Sequence, residues 1–212
     1  MVSQRHQLVR LTEAGWRDLL VGHDWDEQAL ECLDHWSEQD LPLVVTRQGM
    51  DASEGLALGL PAPLRWQRRR LAMLVPLTAL RCVDQFPLAI EITGLLPLAQ
   101  QEGWRQQCAA LSSHCSSLRV YGSYGWQAIT GLDCIGPQSD IDLLLTPEHQ
   151  AAADALATML RDQPFDLPRL DGEFLFADGA AVAWREWLRW RAGETRQILV
   201  KRLAGASLET SC

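Results

Sequence analysis

The stretch RVYGSYGWQAITGLDCIGPQSDIDLLL, residues 119–145, decides the fold of this chain. LRVY reads as a short strand ending at Gly122-Ser123, WQAIT as a helix, and SDIDLLL as a second strand, with Gly131, Gly136 and Pro137 marking the loop between them. The two-residue period of a strand puts Asp140 and Asp142 on one face and Ile141, Leu143 and Leu145 on the other, where they can be buried. Two carboxylates side by side repel one another, so the pair is expected to hold a cation, and oxygen-only ligands suit Mg²⁺. Gly122 supplies backbone freedom and close approach, so exposed N–H groups and the Ser123 hydroxyl can hold phosphate oxygens. Phosphate together with Mg²⁺ points to phosphoryl or nucleotidyl transfer.

Such a site needs a further carboxylate on a neighbouring strand. Downstream, LDGEF offers Asp171 and Glu173 on one strand face with Phe174 and Phe176 on the other; either acid could complete the site, the competing reading being that they flank a turn at Gly172. Lys201, the single lysine, sits in the strand-like ILVKR, where it could contact a phosphate or pair with one of these acids. Between these pieces lie PEHQAAADALATMLRDQ, expected to be a helix with Pro147 in its first turn, and AVAWREWLRW, read as a helix with its tryptophans toward a core. A mixed sheet with flanking helices follows.

Upstream, HQLVRL reads as a strand and TEAGWRDLL as a helix N-capped by Thr12. A second helix, WDEQALECLDHW, directs Ala29, Leu30, Leu33 and Trp36 to a core and leaves Asp26, Glu27 and Glu31 as solvated charge. PLVVTR (42–47) and GLALGL (55–60) read as β-rich, with turns at Gln48-Gly49 and 51–54 between them. We therefore expect an α+β chain with a smaller α/β N-terminal accessory domain over 1–85 and the catalytic domain over 86–212, the boundary falling broadly within 75–95.

With 212 residues, 47% of them hydrophobic, the chain can bury a real core. A net charge of −8 argues against a nucleic-acid or membrane-surface binder that relies on positive charge. Any anion site must be local, and Arg65, Arg68, Arg69 and Arg70, or Arg185, Arg189, Arg191 and Arg196, are candidates. Six scattered cysteines lack CxxC pairing and read as reduced structural thiols. The start MVSQRHQLVR lacks an apolar core and the longest apolar run, 71–80, is broken by Pro76, so no membrane span and a cytoplasmic location are expected.

The Gly-Ser turn followed one helix later by an acid-x-acid strand resembles the DNA polymerase β-like nucleotidyltransferase superfamily. Here 16 residues separate Ser123 from Asp140, a longer gap than in many members, implying an enlarged loop around 132–138. The wider 119–145 stretch, with LDGEF, AVAWREW, PLVVTR, LALGLPAP and RRRLAMLVP, is similar in detail to the phosphoribosyl-dephospho-CoA transferases of malonate decarboxylase, also called its holo-acyl-carrier-protein synthases. That resemblance implies a nucleotidyltransferase-like C-terminal domain. It also implies a reaction: phosphoribosyl-dephospho-CoA passes from 2′-(5″-triphosphoribosyl)-3′-dephospho-CoA to a serine of the malonate decarboxylase acyl carrier protein, and pyrophosphate leaves. Asp140 and Asp142 would then hold Mg²⁺, Gly122 and Ser123 the β and γ phosphates, and Asp171 or Glu173 would be the third carboxylate. The Gly-Ser and acid-x-acid residues alone would equally allow an ATP-dependent adenylyltransferase or, with no metal held, a silent nucleotide-binding module.

Overall fold

The computed structural model describes residues 4–49 and 55–210; the turn expected at 51–54 and Cys212 lie outside them. The chain forms two compact units. The first runs to Phe86 and includes Leu132–Cys134 and Leu203–Gly205; the second takes Pro87–Gly131, Ile135–Arg202 and the residues from Ala206 onward.

In the first unit, β1 (Leu8–Leu11), β2 (Leu43–Val45), β3 (Leu56–Pro61), β4 (Arg70–Val75) and β5 (Leu80–Asp84) form an antiparallel sheet in the order β4-β3-β2-β1-β5. Two helices, α1 (Glu13–Val21) and α2 (Glu27–Glu38), lie between β1 and β2 in the chain. Thr12 caps α1 as expected, its hydroxyl accepting from the Gly15 N–H. Helix α2 buries Ala29, Cys32, Leu33 and Trp36, with Leu30 only half-buried at the margin of that stripe. β4 was not read from the sequence as a strand, although Leu71, Met73 and Val75 alternate inward with Ala72 and Leu74 outward.

Two acids of α2 are not simply solvated. Asp26 caps the helix by accepting from Ala29 N–H and also takes both terminal nitrogens of Arg69 at 2.6 Å, while Glu31 accepts from Arg65 at 2.9 Å. The Arg69 guanidinium, helped by the helix N–H, holds the Asp26 carboxyl down at about 2. Half of the RWQRRR basic run is thereby committed within its own unit.

The second unit is built on a six-stranded sheet: β6 (Cys115–Tyr121), β7 (Ile141–Pro147), β8 (Leu170–Leu175), β9 (Ala181–Ala183), β10 (Ile198–Arg202) and β11 (Gly205–Glu209), ordered β11-β10-β9-β8-β7-β6. β7 and β8 run parallel; β6–β7, β8–β9 and β9–β10 are antiparallel, so the sheet is mixed as expected. Among the described residues four α-helices belong to this unit, α3 (Leu98–Ser112), α4 (Gly122–Thr130), α5 (Gln150–Arg161) and α6 (Trp184–Arg191), with a 3-10 helix at Ala89–Leu95. Their apolar sides meet one face of the sheet, where Ile141, Leu143, Leu145 and Phe174 are fully buried with Trp104, Leu156 and Trp187.

Local readings change in two places. Pro147 ends β7 rather than opening α5, which is capped by the His149 ring nitrogen accepting from Ala152 N–H. AVA of AVAWREW is a strand, because three apolar residues ahead of the helix are enough to fill the sheet between β8 and β10. The five cysteines among the described residues are free thiols, and burial pushes Cys32 and Cys108 up to about 12 and Cys115 to about 11, leaving them unreactive. Among the described residues no helix is long and apolar enough to cross a membrane.

Candidate active site

The sheet face turned away from α3 and α4 carries the acids. Strand register sets their spacing: Asp142 is paired with Tyr121 on one side and with Asp171 on the other, and the next same-face residue of β7, Leu144, is paired with Glu173. Asp140 immediately precedes β7, with Arg169 opposite because Ile141 N–H donates to the Arg169 carbonyl at 2.9 Å. Three carboxylates, Asp140, Asp142 and Asp171, thus stand at one end of the β7–β8 pair, and Glu173 lies one step further in. Burial, then the charges of Asp171, Asp140 and Glu173, push Asp142 up to about 6. Among the described residues no basic side chain pairs with Asp142.

Gly122 makes this crowding possible. It stands at the turn from β6 into α4 with φ +61°, and an added Cβ would collide with Asp142 Oδ2 and lie 2.8 Å from its Cγ. The Asp142 carboxylate therefore occupies the place a side chain at 122 would need, beside the start of α4. Helix α4 has no side-chain cap, and Ser123 is its second residue. Gly122→Ala is expected to displace the Asp142 carboxylate and lower transfer at least about a hundredfold at saturating donor, as loss of an aligned charged group does; a single-turnover assay checks it, and wild-type activity would discount the close approach.

Gly172 is not a turn. It lies within β8 at φ +136°, opposite Leu143, and its N–H donates to Asp171 Oδ1 at 2.9 Å, which aims that carboxylate. Glu173 is buried and its Oε1 accepts from Lys201 Nζ at 2.5 Å; of the two readings of Lys201, this geometry realises pairing with an acid. Asp171 and Glu173 therefore differ: the first faces Asp142, the second is taken by Lys201.

Two arginines complete the cluster. Arg185 donates to the Leu170 carbonyl at 2.9 Å, stacks 4.2 Å over the Trp184 ring and approaches Asp171 at 3.7 Å. Arg169 approaches Asp140 at 3.7 Å and Asp171 at 3.4 Å. The sequence reading missed Arg169, although its alternation with Asp171 and Glu173 was a signal that it shares their face. Arg191 and Arg189 are committed elsewhere, to Asp154 and Glu194. Among the described residues no three His, Cys, Asp or Glu side chains converge tightly enough to hold a metal as they stand, the arginines acting as counter-charges to the acids. The donor set nonetheless fits Mg²⁺: it is oxygen-only, it is repulsive at Asp142, and Gly122 keeps a side chain out of it.

Comparison with known proteins agrees with this architecture. Residues 4–86 match the family model described as phosphoribosyl-dephospho-CoA transferase MdcG N-terminal domain, and residues 83–211 the corresponding C-terminal domain. The chain is similar to proteins named phosphoribosyl-dephospho-CoA transferase from Xanthomonas euvesicatoria pv. vesicatoria and Bradyrhizobium diazoefficiens. Identity is 37% over 206 residues for the first, covering 94% of this chain and 91% of the relative. For the second it is 33% over 204 residues, covering 94% and 86%. No solved structure matches the chain.

Proposed function

Because the chain belongs to the phosphoribosyl-dephospho-CoA transferase family, we propose that this enzyme moves phosphoribosyl-dephospho-CoA from 2′-(5″-triphosphoribosyl)-3′-dephospho-CoA to a serine of the malonate decarboxylase acyl carrier protein. The observation that carries the site assignment is the in-register pair Asp142–Asp171 beside Asp140, with Gly122 against the Asp142 carboxylate. In this reading the second unit is catalytic, the first is accessory, and the protein works in the cytoplasm without nucleic-acid or membrane partners.

Asp140 and Asp142 would hold Mg²⁺, which when bound neutralises charge on the triphosphate. The first turn of α4 presents Gly122 and Ser123 to the β and γ phosphates, where N–H groups, the hydroxyl and the positive end of the helix all favour an anion. The acceptor serine oxygen attacks the α phosphorus, the bond from that phosphorus to the bridging oxygen breaks, and pyrophosphate leaves with the electron pair. Asp171, aimed by the Gly172 N–H, is the third carboxylate and takes the serine proton. Glu173 and Lys201 form a partly buried pair behind it, so Lys201 supports the acids and does not grip a phosphate. Most of the rate enhancement then comes from alignment and charge neutralisation.

The test is the mass of the carrier. Mixed with Mg²⁺, the triphosphoribosyl-dephospho-CoA donor and apo carrier, the enzyme should add one phosphoribosyl-dephospho-CoA to the carrier serine, read by intact-protein mass spectrometry. An AMP-sized increase with ATP alone would replace the donor assignment with adenylyl transfer. No increase with either donor would argue for a silent nucleotide-binding module.

A further inference from the structure

Lys201, Arg185 and Arg169 each approach an acid of this cluster, and they are held very differently. Lys201 is locked to buried Glu173 at 2.5 Å, and Arg185 is fixed by the Leu170 carbonyl and the Trp184 ring. Among the described residues Arg169 has only the two long contacts to Asp140 and Asp171, at 3.7 and 3.4 Å, and its side chain is 60% exposed. Ion pairs of that length and exposure have little net strength. Its backbone, by contrast, is pinned beside the site, since Ile141 N–H donates to its carbonyl. Arg169 is thus a weakly held cation on a fixed root, spanning two of the three carboxylates.

A divalent ion held by Asp140 and Asp142 needs their oxygens at about 2.0–2.1 Å, and a guanidinium lying on Asp140 and on the neighbouring Asp171 opposes it through charge and space. We propose that Arg169 is a resident counter-ion that bare Mg²⁺ must displace, and that the donor's triphosphate gives the displaced guanidinium its new partner. Planar and always charged, a guanidinium can exchange a carboxylate for a phosphate without a change of protonation. Uptake of the cation is thereby coupled to uptake of the donor, each raising the other's affinity by the same factor. The free enzyme holds little metal and assembles its site only when the triphosphate arrives. This inference rests on the proposed site, in which Asp140 and Asp142 hold the cation and Asp171 stands beside them as the third carboxylate.

Mn²⁺ binding to the donor-free protein, followed by electron paramagnetic resonance, separates the two ideas. Arg169→Gln should bind Mn²⁺ about tenfold more tightly than wild type, with KM for the donor raised about tenfold and Tm little changed because the side chain is exposed. Arg169→Lys should fall between them. Unchanged or weaker Mn²⁺ affinity in Arg169→Gln overturns the counter-ion role, whereas a purely structural role would weaken binding. Asp142→Asn should abolish Mn²⁺ binding in both backgrounds; if it does not, the acid-site reading fails and the counter-ion proposal with it.

Discussion

Asp142→Asn is expected to lower transfer at least about a thousandfold while making the protein harder to unfold above pH 6. The rate loss follows from position. Asp142 stands between Asp140 and Asp171 and against Gly122, so its charge is the one every part of the proposed site converges on, and removing an aligned charged group of this kind costs about two to three orders of magnitude or more. The stability gain follows from the same crowding. Burial and three neighbouring acids raise the Asp142 pKa in the fold from 3.8 to about 6, so the folded chain binds this proton more tightly than the unfolded one. That contribution is fully present below pH 4 and is lost as pH rises through 6, after which the ionised carboxylate strains the fold. Two pKa units correspond to roughly 2.7 kcal/mol, and partial exposure reduces this to about 2 kcal/mol. Asparagine keeps the shape without the charge. Denaturant unfolding should therefore show the variant ahead by about 2 kcal/mol at pH 8 and nearly level at pH 4. Full activity would remove Asp142 from the chemistry; a variant less stable at pH 8 would mean that the acid is compensated in the free protein.

Gly172→Ala should be the most damaging single-methyl change in the second unit. A Cβ at 172 would collide with the Leu143 carbonyl oxygen and lie 2.6 Å from the Leu143 nitrogen, and neither is a flexible side-chain end that can swing away. The φ of +136° also lies in a region that is essentially glycine-only. β8 would have to move off β7, breaking the parallel pair that sets Asp171 beside Asp142. A loss of more than about 4 kcal/mol is expected, in the range reserved for backbone strain and core disruption. Gly94→Ala is the control, because nothing lies within 4 Å of its added Cβ and it should unfold like wild type. Equal midpoints for the two variants in urea would show that β8 can relax around a side chain.

Much of the site was legible because it is local. A strand, a Gly-Ser turn, a helix and Asp-Ile-Asp are written within 119–145, and period 2 alone separates the acids from Ile141, Leu143 and Leu145, which the fold buries completely. The Thr12 cap and most of the apolar stripe of α2 were readable for the same reason. Short or atypical segments were not. β9 is three residues long, β11 is largely exposed, and β4 opens on the last arginine of a basic run. Asp26 and Glu31 looked solvated because Arg69 and Arg65, their partners, are remote in sequence.

By itself the sequence determined which residues can supply carboxylates, a Gly-Ser turn and a lone lysine, and which strand face the acids occupy. Tertiary structure decided their division of labour. Parallel pairing of β7 with β8 is non-local, and its register puts Asp171 beside Asp142 and Glu173 beside Leu144. The placement of β9 and β10 then brings Lys201 to Glu173 and leaves Asp171 to the arginines. No periodicity within either strand encodes that register, because it is set by how the buried faces of both strands pack together against the helices.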